Sequence, residues 1–202
     1  MVDKISKIYY INLEHREDRK AQIESELIKM DLLHKTERFN AIYNKDHPAL
    51  GCCYSHLTCL ENAKNNNFDN ILIFEDDFEF IVDKKYFNDK LNILMNDNTW
   101  DILFLSYNCK EYIPIDENKI KLIYSQTASG YIVNNKHFDT LINLYKYNFE
   151  QLKNTYKHWL YMNDVCWMSL MKTHNYYGII NKIGKQRAGY SDLAGTYMDY
   201  NT

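Results

Sequence analysis

Short apolar runs rich in β-branched and aromatic residues recur along the chain and are separated by polar segments. Runs of four to eight such residues are typical of strands buried in a sheet. The predicted strands cover residues 5–11, 39–42, 71–77, 100–106, 120–124, 129–133 and 179–180. The run at 71–77 ends in three acids, which are expected at the carboxyl end of its strand.

Between the runs, apolar residues recur at steps of three and four positions among charged ones. Ile23, Leu27 and Met30 follow this spacing, which predicts an amphipathic helix over 16–30. Further helices are predicted over 49–65, 86–95, 135–147 and 165–171. A strand, a short polar turn and a helix open a nucleotide-binding α/β unit. Because 202 residues are too few for two full-sized domains, residues 1–202 are predicted to form one domain.

The most informative stretch is ILIFEDD, residues 71–77. Loops leave the strands of an open α/β sheet at their carboxyl ends, so ligands bind at that edge. Glu75, Asp76 and Asp77 repel one another there, and a cation would relieve the repulsion. Carboxylate oxygens suit Mg²⁺ or Mn²⁺, which keep positions open for phosphate oxygens. The stretch therefore indicates a metal that holds a diphosphate, with a solvated acidic turn as the alternative.

Three further groups of polar residues are candidates for the same site. Arg16 and Arg19 lie one turn apart near the end of the first strand, where forked donors match phosphate or uracil oxygens; the alternative is two solvated arginines. His56 is expected to form a buried structural hydrogen bond first and to contact ligand second. Asp164 opens a predicted helix, where the helix dipole stabilises an acid whatever else it does.

Composition narrows the function classes. The net charge of −3 and the pI near 6.2 provide no positive field for nucleic acid. The five cysteines form no C-x-x-C pair, so neither a disulfide framework nor a zinc site is predicted. The chain has no signal-peptide core and no apolar run of membrane-spanning length. These features predict a soluble protein with reduced thiols that stays in the cytoplasm, or in the virion or the host cytoplasm if it is viral.

Six segments in order resemble glycosyltransferase family 25, which includes lipooligosaccharide and collagen galactosyltransferases. The resemblance covers most of the chain. It rests on IYYINL with Arg16 and Arg19, on GCCYSH at 51–56, on EDD at 75–77, on ASGYIV at 128–133, on Asn163–Asp164 and on QRAGYSD at 186–192.

The resemblance implies a GT-A type fold, a Rossmann-like mixed sheet flanked by helices, that binds a UDP-sugar through Mn²⁺ or Mg²⁺. It implies that Asp77 is the direct metal ligand, that Glu75 stands where the wider group has the first acid of a D-x-D pair, and that Asp76 contacts ribose or the waters of the metal. Gln186 and Asp192 are candidates for the third ligand. Asp164 is the candidate base, and the expected substrate-binding residues are Asn12, Leu13, Arg16, Arg19, Ser55, Glu75, Asp76, Ser129 and Gly130.

These expectations combine into one function. The chain is predicted to move a hexose, galactose or glucose, from a UDP-sugar to a hydroxyl of a glycan or collagen-like protein, with inversion. The alternatives are a non-catalytic GT-A-shaped module that binds a nucleotide or a sugar, and a phosphoacceptor signalling domain. The last is disfavoured because residues 100–106 end in Ser106 where an acceptor Asp is required.

Overall fold

The computed structural model describes residues 4–200. The first part of the chain supplies three strands and two helices that cross between them. They are β1 (Lys7–Asn12), α1 (Glu17–Lys29), β2 (Thr36–Asn40), α2 (Pro48–Asn65) and β3 (Asn70–Glu75). Both β2 and β3 pair with β1 in parallel. This half is the nucleotide-binding type of α/β unit that the hydrophobic pattern predicts.

The second part is more irregular. Its strands are β4 (Phe78–Phe80), β5 (Ile102–Phe104), β6 (Asn108–Pro114), β7 (Lys119–Gln126), β8 (Gly130–Asn134), β9 (Tyr176–Ile179), β10 (Gly184–Gln186), β11 (Gly189–Ser191) and β12 (Thr196–Met198). Its helices are α3 (Lys84–Asn96), α4 (Phe138–Thr155), α5 (His158–Tyr161), α6 (Asn163–Cys166) and α7 (Met168–Met171). Within residues 4–200, no helix is both long and apolar enough to cross a membrane.

Eight strands form one mixed sheet in the order β2-β1-β3-β8-β5-β9-β7-β6. Strand β8 lies between β3 and β5 and is antiparallel to both. The carboxyl ends of β1, β3 and β5 therefore meet the beginning of β8 at one edge of the sheet, here called the carboxyl edge. The mixed α/β sheet confirms the predicted fold class, whereas the single-domain extent of 1–202 stays a prediction.

The sheet carries a hydrophobic core on each face. Along β3, Ile71 and Ile73 pack into one core and Leu72 and Phe74 into the other. Helices α2, α4 and α7 contribute to the first core, and α1 and α3 to the second. All four of these β3 side chains are fully buried. A strand covered on both faces must be apolar throughout, which explains the continuous run ILIF.

Several elements differ from those predicted; strand β9, for example, lies at Tyr176–Ile179 and not at residues 179–180. Strand β2 lies at residues 36–40, earlier than the predicted strand at 39–42. It is the outermost strand on one side of the sheet, so it is half-buried and has no apolar run. The sequence does not predict strand β6, which is the outermost strand on the other side of the sheet. It is held by backbone hydrogen bonds to β7 and is largely exposed. The predicted helix 165–171 is broken into α6 and α7. Helix α4 continues well past residue 147, to Thr155.

The chain turns sharply at Asp76–Asp77 and continues into β4, which pairs with β10 from near the carboxyl terminus. In that pairing Gln186 lies opposite Phe78. Phe78 packs tightly on β8, since a Cβ added to Gly130 would lie 2.4 Å from its ring. This packing brings residues 186–192 beside the acids of β3, although more than 100 residues separate them in sequence.

Candidate active site

A cavity of about 500 Å³ opens at the carboxyl edge. Glu75, Asp76 and Asp77 line it from the end of β3, and Leu13 and Arg19 line it from the β1–α1 connection and α1. Helices α5 and α6 also line the cavity, and Asp164 is among their lining residues. The carboxyl-terminal segment contributes Gln186 and Asp192. Eight of the residues selected from the sequence therefore meet in one cavity.

Asp76 is a buried carboxylate held by two donors. Asn12 Nδ2 donates to Asp76 Oδ2 at 2.7 Å, and Arg19 Nη1 donates to Asp76 Oδ1 at 2.8 Å. Asn12 is in turn oriented by Arg38, whose Nε donates to Asn12 Oδ1 at 3.0 Å. Burial raises the pKa of Asp76, while Arg19 and Asn12 act in the opposite direction. Both Asp76 oxygens accept hydrogen bonds, so the main role of Asp76 is to hold the Arg19 guanidinium beside Asp77.

Asp77 is held on one side only. Its Oδ2 accepts hydrogen bonds from Gln186 Nε2 at 3.0 Å and from Arg19 Nη1 at 3.2 Å. Its Oδ1 is buried and has no hydrogen-bond partner within residues 4–200. The backbone is fixed as well, since the Arg187 N–H donates to the Asp77 carbonyl at 2.7 Å. Burial, together with the charge of Glu75, raises the pKa of Asp77 to about 7.

The unpaired oxygen of Asp77 fits a bound cation. A buried carboxylate oxygen without a donor costs free energy, and a metal ion would supply the missing partner. Arg19 is the one cation paired with both Asp76 and Asp77 among residues 4–200, and the nearby charge of Glu75 adds to the repulsion at Asp77, so the acids are only partly compensated. Carboxylate oxygens are the ligands that Mg²⁺ and Mn²⁺ prefer.

A second group of potential metal ligands lies deeper in the same cavity. Cys52, His56 and Glu75 each offer an atom, and these atoms lie within 4.8 Å of one another. His56 is fully buried; its Nε2 lies 3.1 Å from Glu75 Oε1 and its Nδ1 lies 2.8 Å from the Tyr131 hydroxyl. Burial, with Glu75 nearby, raises the pKa of the Cys52 thiol well above its usual range. A metal would therefore bind here only after displacing the thiol proton.

Asp164 lines the same cavity as the acids and lies in the first turn of α6. Its Oδ2 accepts a hydrogen bond from the Thr127 N–H at 3.3 Å. Thr127 has φ +86°, a left-handed conformation that is costly for a β-branched residue. Burial, with Glu75 next, raises the pKa of Asp164. A carboxylate of raised pKa that faces a cavity has the properties of a general base.

Arg16 and Arg19 lie one turn apart but form ion pairs with different partners. Arg19 faces the acids, and its Nη2 donates to the Tyr190 carbonyl at 2.8 Å. Arg16 instead pairs with Asp18 at 2.8 Å and with Asp192. Arg16 therefore ties the carboxyl-terminal segment to α1 and does not line the cavity.

Four other predicted binding residues also lie outside the cavity lining. Asn12 reaches the site only through Asp76. The Ser55 hydroxyl is buried between the Gly51 carbonyl at 2.7 Å and the Ile42 N–H at 2.9 Å. The Ser129 hydroxyl lies 2.6 Å from that of Ser106, and its carbonyl accepts the Glu75 N–H. Gly130 packs on Phe78. These residues shape the walls, and their assignment to substrate contact stays a prediction.

Several lining residues were not selected from the sequence. They are Ile11, Tyr43, Cys52, Asn108, Gln126, Thr127, His158, Trp159 and Asn163, among others. Cys52 lies four positions before His56 on α2, and this helical spacing was the one available signal. For Trp159 and Gln126 the sequence carries no motif, because only the tertiary fold brings their segments to the cavity.

The sheet order and flanking helices define a GT-A type α/β fold. The structure is similar to a glycosyltransferase involved in the glycosylation of the major capsid of PBCV-1, with a TM-score of 0.51 and 10% identity, covering 94% of this chain and 95% of that one. It is also similar to a mannose-1-phosphate geranyltransferase from Thermus thermophilus, with a TM-score of 0.50 and 10% identity, covering 94% and 76%. At such low identity, these likenesses show the fold alone.

Sequence comparison identifies the family. The profile of glycosyltransferase family 25 (LPS biosynthesis protein) matches residues 47–161. The chain therefore belongs to glycosyltransferase family 25, as its motifs predict. It is also 23% identical, over 181 residues, to procollagen galactosyltransferase 1-A of Xenopus laevis; the match covers 70% of this chain and only 29% of that protein. Family membership supports glycosyl transfer as the reaction class and disfavours the phosphoacceptor alternative.

Proposed function

We propose that the protein transfers a hexose, galactose or glucose, from a UDP-sugar to a hydroxyl of a glycan or protein acceptor, with a divalent metal at Asp77. One observation carries the proposal: Asp77 offers a buried carboxylate oxygen without a partner among residues 4–200, in a cavity at the carboxyl edge. Ligands of α/β sheets bind at that edge. Family membership supplies the reaction class.

The acid turn is the better place for Mn²⁺ or Mg²⁺ than the group around Cys52. Asp77 would hold the ion, with Glu75 beside it and Gln186 and Asp192 as further candidates. A thiol ligand favours softer ions such as Zn²⁺, and the raised pKa of Cys52 opposes its ionisation. When bound, the metal supplies positive charge that stabilises the departing diphosphate.

The chain's own residues would orient the donor. Ile11, Leu13 and Tyr43 line the end of the cavity formed by β1 and the segment after β2, and they offer apolar and aromatic surface for the nucleoside. Arg19 remains bound to Asp76 and Asp77, so it limits the repulsion between the acids and the diphosphate. Arg16 holds Asp192 and thereby keeps the carboxyl-terminal segment against the donor site.

Asp164 is the proposed general base. Its carboxylate would take the proton of the acceptor hydroxyl as the oxygen attacks the anomeric carbon. The bond from that carbon to the diphosphate oxygen breaks in the same step, and UDP leaves with the electron pair. One direct displacement inverts the anomeric configuration. The raised pKa of Asp164 makes it a stronger base than an exposed aspartate.

Donor binding and UDP release test this function. Calorimetry with UDP, UDP-galactose and UDP-glucose, each with Mn²⁺ and with EDTA, should show metal-dependent binding. Slow release of UDP from one of the two sugar donors should accompany it, since water can replace the acceptor. Absence of both binding and release would refute the proposal. Binding without release, across a panel of acceptors, would instead identify a non-catalytic module.

A further inference from the structure

Trp159 differs from the other two tryptophans of the chain. Trp100 and Trp167 are 3% and 0% exposed and pack in the two cores, whereas Trp159 is 61% exposed. It lies on α5 and lines the wall of the cavity that also carries Asp164. An exposed aromatic ring that lines a cavity offers an apolar face to a ligand in that cavity.

The backbone beneath Trp159 is well anchored. Tyr156 adopts a left-handed conformation, φ +56°, and its ring stacks on His47 with centroids 3.8 Å apart. The N–H groups of Leu160 and Tyr161 donate to the Lys157 carbonyl at 3.0 and 3.2 Å. Tyr161 and Met162 pack on a small cluster that includes Leu152. The exposed ring is therefore held by a fixed turn and not by a loose loop.

An unsatisfied donor lies close to this ring in sequence and in the same wall. Asn163 is 2% exposed and lines the cavity. Its Nδ2 has no hydrogen-bond partner among the described residues, although its Oδ1 lies near the thiols of Cys52 and Cys53. A buried amide donor without a partner costs free energy. A ligand hydroxyl would satisfy it.

An apolar ring beside a hydroxyl-binding amide matches the chemistry of a pyranose. One face of a sugar ring presents C–H groups that stack on an aromatic face, and its rim presents hydroxyls that accept and donate hydrogen bonds. Gln126, Asn108 and His158 add polar side chains to the cavity wall. The hydroxylysine side chain of a collagen-like peptide is a flexible alkyl chain that has no ring to stack.

We propose that Trp159 and Asn163 form the acceptor subsite and that the acceptor is a glycan whose terminal sugar ring stacks on Trp159. This inference rests on the proposed function, because it assigns the acceptor side of the same cavity. The stacked sugar would present its hydroxyl to Asp164, which lies next to Asn163. Trp159 binds the acceptor in this scheme and takes no part in proton transfer.

Tryptophan fluorescence tests the subsite directly, since only one of the three tryptophans is accessible to acrylamide. The probes are the methyl glycosides of galactose, glucose, mannose and xylose, titrated with UDP and Mn²⁺ and again without them. At least one glycoside should protect the exposed emission from quenching in a saturable way. Trp159→Phe should remove the quenchable component. If no glycoside protects, or if only a hydroxylysine-containing collagen peptide does, the proposal is overturned.

Kinetics with the protecting glycoside separate a binding role from a structural one. Trp159→Ala should raise the acceptor KM about ten-fold or more, as the loss of one stacking contact predicts, with a smaller effect on kcat and on acceptor-free UDP release. Trp159→Phe should restore most of the affinity. The matched control is Leu160→Ala, because Leu160 is 47% exposed on the same turn. An equal fall in UDP release would contradict the proposal, whereas absence of UDP binding in the wild type would refute the donor function alone.

Discussion

Polar residues at the carboxyl edge of the central sheet differ in their hydrogen bonding from those at the opposite edge, where the other ends of the same strands lie. At the edge opposite the carboxyl edge, Asp101 Oδ2 accepts the Asn175 N–H at 2.8 Å and the other oxygen lies 3.6 Å from Lys136 Nζ. His137 Nε2 lies 2.8 Å from the Tyr176 hydroxyl. At the carboxyl edge, Asp76 and Asp77 share Arg19 as their cation, and Asp77 Oδ1 has no partner in residues 4–200.

This difference concerns carboxylates: both Asp101 oxygens have partners inside the protein, whereas Asp77 keeps one oxygen without a partner among residues 4–200. Burying a polar group is tolerated when its hydrogen bonds are made inside the protein. The edge around Asp101 meets that condition for its carboxylate. The carboxyl edge does not meet it for Asp77 or for Asn163. Substitutions at the two edges should therefore affect different properties, and the following predictions test that separation from the largest effect to the smallest.

The largest effect is expected for Asp164→Asn. Loss of a general base slows transfer by about 10²- to 10⁴-fold, because the acceptor hydroxyl then keeps its proton. Binding of UDP with Mn²⁺ should change much less than turnover in calorimetry, because Asp164 is not among the proposed metal ligands. Asp139→Asn removes an exposed acid from α4 and serves as the control. Transfer within a few-fold of wild type would exclude Asp164 as the base.

Asp77→Asn should lower metal-dependent turnover by about 10²- to 10³-fold, comparable to the loss of one transition-state charge stabiliser. Stability to urea should not fall at neutral pH, because the substitution removes an incompletely compensated buried carboxylate. Calorimetry should show weakened Mn²⁺ uptake in the presence of UDP. Retention of wild-type Mn²⁺ affinity would break the assignment of the metal to the acid turn.

Asp101→Asn is the reciprocal experiment at the other edge. It weakens the bond to the Asn175 N–H and the ion pair with Lys136, so we expect a loss of about 1–3 kcal/mol in the free energy of unfolding. Activity per folded molecule should match wild type. Urea titration and UDP release measure the two quantities. A fall in turnover at unchanged stability would contradict the prediction that Asp101 affects the stability of the fold and not the activity.

The smallest effect concerns pH. Burial lowers the pKa of His137 from 6.5 to about 4, so the unfolded chain binds its proton more tightly than the folded protein. Stability from neutral His137 is therefore present above pH 6.5 and is lost as the pH falls towards 4. His137→Gln should flatten this acid limb in urea titrations between pH 4.5 and 7.5. An unchanged limb would contradict the prediction.

Asp77 has the opposite sign, which provides an internal check. Its pKa is raised from 3.8 to about 7, so the folded protein binds that proton more tightly than the unfolded chain. Its effect is to lower stability as the pH rises from about 4 to about 7. Asp77→Asn should therefore steepen the acid limb that His137→Gln flattens. Changes in the same direction in both variants would show that the two edges are not titrating independently.

Local pattern was sufficient for the elements whose burial follows the chain. Strand β3 is apolar because both of its faces are covered, and its acids follow directly, so run and acids were recognisable together. Strand β6 was not recognisable, because an exposed edge strand is held by backbone hydrogen bonds that leave no apolar run. The sequence predicts one helix where the structure has α6 and α7, because an apolar segment does not reveal where a helix is interrupted.

The sequence by itself determined the α/β class, the family and the acids at the end of β3, because each depends on residues that are neighbours in the chain. Only the tertiary structure decided which partners those acids have. In the tertiary structure Arg19 pairs with Asp76 and Asp77, whereas Arg16 pairs with Asp192. The pairing of β10 with β4 brings Gln186 to Asp77. The tertiary structure also brought Trp159 to the cavity that those acids line. Such contacts join distant segments, and local periodicity carries no information about which segments will meet.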